Sequence, residues 1–191
     1  MKKDDGILEE FVDTFDKFYE LAEYSFIFPF VAELAIGEPT ELGQTRWQPA
    51  RIDTDRCYLD PLYAKLPARF PPLYESLVLS YRWAEVDLGT FTLLANPPGP
   101  DLSRLLGQIS RAPAIWNALI PAGYIQFAKG PDMDFDPVCF DIKRRKKNRD
   151  CPVVKIDHEG ILCNNRIRIM TELAPSFEQL VRETIARATK A

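Results

Sequence analysis

Apolar residues recur at helical spacing early in the chain and alternate in its last third, and this change of period sets the expected architecture. Leu8, Phe11, Val12, Phe15, Phe18, Tyr19 and Ala22 follow an i, i+3, i+4, i+7 series, which predicts an amphipathic helix over residues 8–24. Glu9, Glu10, Asp13, Asp16 and Glu20 lie on its other side, and acidic residues early in a helix suit its positive end. Residues 38–66 mix Trp47, Tyr58 and Tyr63 with prolines and charges at no sustained period. They read as an irregular connector lying on the domain, because such aromatic content argues against a free linker. Phe70, Leu73, Tyr74, Leu77, Val78 and Tyr81 predict a second helix, with Pro71 and Pro72 tolerable in its first turn. Val86 and Leu88 alternate on one parity and Phe91 and Leu93 on the other, with Gly89 between them, as in a bulged strand. Leu102, Leu105, Leu106 and Ile109 predict a short helix capped by Asp101, and Ile115, Trp116, Leu119 and Ile120 continue the helical path beyond Pro113.

Alternation takes over from Ile125 and Phe127, through Val138, Phe140 and Ile142, then Val154 and Ile156, to Ile167 and Ile169. Short connections exclude parallel crossovers, so these strands form an antiparallel meander. Ser176 and Gln179 make a capping box for a last helix, whose stripe is Phe177, Leu180, Val181, Thr184, Ile185 and Ala188. Glu178–Arg182 and Glu183–Arg187 are i, i+4 pairs in the favourable order. The expected fold class is α+β: a largely antiparallel twisted sheet flanked by helices. Residues 66–191 form the domain, and residues 1–65 form an N-terminal helical and irregular extension packed on its core.

Composition changes this picture little. With 191 residues, 46% hydrophobic and 27% charged, the chain is ordinary for a globule that folds without staples. A net charge of −4 makes it no electrostatic match for nucleic acid. Neither a signal-peptide core nor an apolar run of membrane-spanning length occurs, and the four cysteines lack a secretory context, so the expected location is the reducing cytoplasm.

Candidate chemistry is concentrated in two loops. Lys143, Arg144, Arg145, Lys146, Lys147 and Arg149 place six cations in seven positions, for an acidic partner surface, nucleic acid or a nuclear import signal, or simply for a solvated hairpin tip. No aromatics interleave there to stack on bases. Asp132, Asp134 and Asp136 begin like a calcium loop, but Pro137 and Lys143 stand where that loop needs glycine and glutamate, so they read as a partner contact or a solvated loop. Cys139, Cys151, His158 and Cys163 lack the close pairing of zinc ligands. Cys139 with His158, the only histidine, can also be read as a nucleophile and base, and no oxyanion or phosphate-binding motif accompanies them. His158 itself is expected to satisfy backbone groups of a turn. Trp116, Tyr124 and Tyr74 are the aromatics to weigh between core and interface.

Several junctions carry a resemblance. Leu66-Pro67 with Phe70 and the helix to Tyr81, Gly123-Tyr-Ile-Gln-Phe127, Asp136-Pro-Val-Cys-Phe-Asp141, Pro152-Val-Val-Lys-Ile-Asp-His-Glu159 and Ala174-Pro-Ser-Phe-Glu-Gln-Leu180 stand in order over residues 66–185. In this the chain resembles the SUKH superfamily, the Smi/Knr-like fold shared by fungal cell-wall synthesis regulators and many bacterial toxin-immunity proteins. It departs from the pattern in having a single glycine before the Asp136–Asp141 segment and an expanded, basic hairpin after it. The resemblance implies a SUKH-like α+β domain without cofactor, metal or catalytic residues that binds another protein. For an immunity-type member that partner is a secreted polymorphic toxin; the alternatives are a scaffold or regulatory module and, from another class, a small Cys/His hydrolase. The acidic loop, the basic run and Trp116 are the expected partner contacts.

Overall fold

Strands that alternate in sequence must bury one side, and here both sides are covered. A computed structural model describes residues 3–19, 34–38, 46–99 and 101–190. Among them the chain runs α1 (Lys3–Tyr19), β1 (Ala35–Ile36), β2 (Arg46–Trp47), β3 (Ala50–Arg51), α2 (Asp60–Tyr63), α3 (Pro72–Ser80), β4 (Tyr81–Arg82), β5 (Val86–Asp87), β6 (Thr92–Leu93), α4 (Ser103–Ile109) and α5 (Pro113–Leu119). It continues through β7 (Tyr124–Lys129), β8 (Pro137–Asp141), β9 (Val153–Ile156), α6 (His158–Asn164), β10 (Ile169–Ala174) and α7 (Phe177–Ala188). Strands β5 to β10 form one sheet in chain order, each antiparallel to the next, while β1–β2 and β3–β4 are separate short ladders. This is an α+β fold built on an antiparallel meander.

On one side of the sheet, Ile125, Phe127, Val138, Phe140 and Val153 meet α1, α3 and α7 in the main core. Phe127 and Phe140 stack with ring centroids 4.1 Å apart, and Tyr74 and Phe177 each meet both rings edge-on. Such edge-to-face contacts add specificity to the area they bury. On the other side, Tyr124, Cys139, Val154 and Ile156 pack under Ile115 and Leu119 of α5 and Ile161 of α6. The helical stripe of α1 delivers Leu8, Phe11, Val12 and Phe15 to the main core; the expected Phe18, Tyr19 and Ala22 lie outside the residues whose side chains are described.

Several expectations are corrected. The segment around Gly89 is a hairpin of two strands rather than one bulged strand: Val86 pairs with Leu93, and Asp87 Oδ1 accepts the Gly89 N–H at 2.7 Å, with φ of +80° at Gly89. The second helix stops at Ser80, and Tyr81 opens β4. Residues 46–66 contain β2, β3 and α2 and bury Trp47, Leu59 and Leu62. Between β9 and β10 the chain forms α6, capped by Asp157, so Ile167 precedes the strand that begins at Ile169. Only half of the capping box forms: Ser176 Oγ accepts the Gln179 N–H at 3.2 Å, but the Gln179 amide donates to Glu183. Glu178–Arg182 forms at 2.7 Å, whereas Arg187 donates to Thr184 Oγ1.

Candidate functional site

Between β7 and β8 the chain reads Gly-Pro-Asp-Met-Asp-Phe-Asp from residue 130 to residue 136. A surface loop ordinarily turns carboxylates to water and large apolar side chains inward. Here Asp136 and, in part, Asp134 turn inward while Asp132 stays exposed beside Met133 and Phe135. Asp136 is buried; its Oδ1 accepts the His158 backbone N–H at 2.9 Å and lies 2.6 Å from His158 Nδ1. Asp134 Oδ1 accepts the Asp136 N–H at 2.8 Å, and its Oδ2 lies 2.9 Å from Lys155 Nζ. The backbone closes through Gly130 N–H to Asp136 O at 2.9 Å and Asp134 N–H to Pro131 O at 3.0 Å. Asp132, left-handed at φ +53°, donates its N–H to Asp87 Oδ2 at 2.9 Å. Met133 and Phe135 are left 79% and 55% exposed.

Gly130 permits this fold-back. A Cβ there would stand 2.1 Å from the Asp134 carboxyl carbon. Burial pushes the Asp134 carboxyl up, but the Asp136 N–H and the Lys155 ammonium outweigh it and hold it below its ordinary value. The hydrogen bond to Asp134 raises Lys155 in turn.

The His158 ring is therefore bound to a carboxylate, not to turn backbone as expected. A carboxylate only accepts, so Nδ1 carries the proton and Nε2 is the remaining acceptor of the neutral ring. Asp134, Asp136 and His158 bring potential metal-ligand atoms within 4.8 Å of one another. The cation among them is Lys155, whose ammonium stands 2.9 Å from Asp134 and 3.8 Å from Asp136. Among the described residues no cysteine joins His158 in such a group. Cys139 packs under α5 and α6, Cys151 faces the main core, and Cys163 is exposed. Burial and the nearby Asp141 push the Cys139 thiol well above its ordinary range, which disfavours the thiolate a nucleophile needs.

Beside the loop lies a groove of about 450 Å³. Gln126 and Lys129 of β7 line it, with Phe135, with residues 111–115 at the start of α5, and with His158 and Leu162 one turn apart on α6. Leu162 is 57% exposed. Lys129 Nζ lies 2.6 Å from Glu85 Oε1 and 5.9 Å from the Phe135 ring centre, and Arg111 approaches Glu85 Oε2 at 3.5 Å.

The basic run divides in two. Lys143 Nζ sits 4.3 Å from the Tyr124 ring centre, Arg144 bridges Asp141 and Glu172 at 2.7 Å each, and Arg145 donates to the Arg69 carbonyl. Lys146, Lys147 and Arg149 surround a turn closed by Arg149 N–H to Lys146 O at 2.9 Å, and make no ion pair among the described residues. Buried Asp150 anchors the hairpin, accepting the N–H groups of Cys151 at 2.8 Å, Phe177 at 3.0 Å and Glu178 at 3.4 Å. Trp116 is half-buried against the main core, and Tyr74 and Tyr124 are buried.

The structure thus gathers Asp134 and Asp136 with Lys155 and His158, and sets the basic tip and Trp116 apart from them. Sequence reasoning missed Met133, Phe135, Leu162, Arg111, Lys129 and Lys155. The alternation of Asp with Met and Phe was the one available signal. No family model and no curated protein matches the chain. Among the described residues no helix is long and apolar enough to cross a membrane.

Proposed function

We propose that this chain is a non-catalytic protein-binding domain of the immunity type, SUKH-like in its plan, which neutralises a partner toxin by covering its active face. The observation that carries the reading is the inverted loop, in which Met133 and Phe135 are exposed on a backbone tied at Asp87, Lys155 and His158. Exposed apolar anchors on a pre-ordered backbone suit a protein interface, because little ordering entropy remains to be lost on binding. The cations of Lys146, Lys147 and Arg149 would steer an acidic partner surface and raise the association rate. The resemblance of the junction motifs over residues 66–185 to the SUKH superfamily, whose bacterial members often neutralise toxins, is what supports a toxin as the partner. Buried Cys139, and His158 bound to Asp136, weigh against a thiol hydrolase. The reading places the protein in the reducing cytoplasm, where four free cysteines are at home.

The test is co-expression with each toxin-like protein encoded by the genes that flank this one. Growth should be restored by the wild-type chain and lost with the double variant Met133→Ser, Phe135→Ser, whose exposed positions leave the core intact. Absence of protection by the wild type, or full protection by the double variant, overturns the reading. A stable complex that gives no protection would instead identify a scaffold or regulatory module.

A further inference from the structure

We propose that the groove bordered by α5, α6 and Phe135 receives one aromatic side chain of the partner, a tyrosine or tryptophan, next to a carboxylate. This rests on the protein-binding reading above and specifies its docking chemistry.

Three features of the groove each select part of that occupant. Its apolar surface comes from Phe135 and Leu162, both more than half exposed, and from Ile115. At about 450 Å³ it lies in the lower range of cavities that enclose a bound group, large enough for a bicyclic ring and its neighbour. The second feature is His158. With Nδ1 2.6 Å from Asp136 Oδ1, Nε2 has no partner among the described residues, and in the neutral ring it can accept from an O–H or N–H. A tyrosine hydroxyl or an indole N–H supplies that donor at the end of an apolar ring, which leucine or phenylalanine does not.

The third feature is charge. Arg111 and Lys129 converge on the two oxygens of Glu85, Arg111 at the longer distance of 3.5 Å and with a half-exposed side chain. Arg111, with the longer contact and the more exposed side chain, keeps guanidinium donors for a second carboxylate, which it can take in a forked geometry. A second copy of this chain would offer Met133 and Phe135, which carry no donor for His158, and the 44% exposed Tyr58, which does. Concentration-dependent dimerisation that Tyr58→Phe abolishes would assign the groove to that copy and overturn the proposal. A nucleic acid would supply phosphate and bases, but residues 111–115 give the groove only one exposed cation on that wall.

The experiment uses the full chain, labelled for amide NMR, and three blocked dipeptides: N-acetyl-Trp-Asp-amide, N-acetyl-Trp-Asn-amide and N-acetyl-Leu-Asp-amide. The expected result is saturable shifts at Gln126, Ile115 and Leu162 with Trp-Asp, at a Kd on the order of 1 mM. Trp-Asn should bind about three- to fivefold more weakly, the range of an exposed ion pair, and Leu-Asp more weakly still. Arg111→Gln should make Trp-Asp and Trp-Asn equivalent, and Leu162→Lys, at an exposed position, should weaken both. Shifts that map elsewhere, equal affinity for all three probes, or indifference to Arg111→Gln overturn the proposal. If the double variant at Met133 and Phe135 loses protection while the dipeptides fail to bind, the groove chemistry falls and the immunity reading stands. Dipeptide binding as expected with no protection from any neighbouring toxin has the opposite consequence.

Discussion

Asp150 closes the basic hairpin and caps the last helix. Its carboxylate takes the N–H groups of Phe177 and Glu178, two of the donors a helix leaves unsatisfied at its start, and Ser176 takes that of Gln179. Because Asp150 is buried, Asp150→Ala leaves those donors without water to replace it. We expect a loss of about 2 kcal/mol, against about 1 kcal/mol for Ser176→Ala, read from urea midpoints at unchanged m-value. Tyr74 presents the reverse case. Its ring lies at the centre of the aromatic cluster, but its hydroxyl is buried with no hydrogen-bond partner among the described residues. Tyr74→Phe removes an unsatisfied group at almost constant volume, so the same unfolding curve should show no loss and a gain of up to about 1 kcal/mol. Arg82 is buried without a carboxylate partner among the described residues. It donates to the carbonyls of Val78 and Tyr81 at the end of α3 and to Thr54 Oγ1, and Asn96 donates to the same two carbonyls. The negative end of a helix is a suitable place for that cation, although burial still pulls its pKa down.

At the scale of elements, the inverted loop carries a pH dependence. The folded-state carboxyl of Asp134 is held below its ordinary value, so its contribution is fully present above the unfolded pKa. It is lost as pH falls through the folded value, below about pH 4. We expect the melting temperature of Asp134→Asn to decline less steeply than that of the wild type in this acid range, and the Asp136 amide resonance of the wild type to move over the same interval. The elements themselves were legible to different degrees. Strands β7 to β9 and helix α7 follow their hydrophobic period because each buries one side against a large core, which is the condition under which period reports structure. Helix α6 was hidden: it has seven residues, and the alternating pairs on either side, which bring Ile156 opposite Ile169, mark only the strands that flank it. The hairpin of β5 and β6 was concealed by strands of two residues each. The loop was legible as a pattern of acids, but not in its orientation. Which way Asp134 and Asp136 turn is decided by Lys155 and His158, some twenty residues away and brought alongside by the pairing of β8 with β9.

For the whole molecule, the sheet divides the interior unequally, and the cysteines report on the two parts. Among the described residues, thirty-five buried side chains make up the main core and seven make up the cluster beneath α5 and α6. Stability is distributed in proportion to such burial, so the thinner layer should open at lower free energy than the rest. Cys151 belongs to the larger core and Cys139 to the smaller cluster, while Cys57 and Cys163 are exposed. An aromatic disulfide reagent should therefore modify two thiols of the native protein at once. Cys57 should be the slower of these, because its hydrogen bond to Asp55 raises its pKa and depresses the thiolate. With increasing urea Cys139 should become reactive before the global transition and Cys151 only within it, as mapped by peptide mass after quenching. Simultaneous labelling of the two would mean that both layers unfold as one cooperative unit. The order matters for the proposed function, because α5 and α6 border the groove. A layer that opens on its own can adjust to a partner while the main core, with the aromatic stack of Phe127 and Phe140, stays closed.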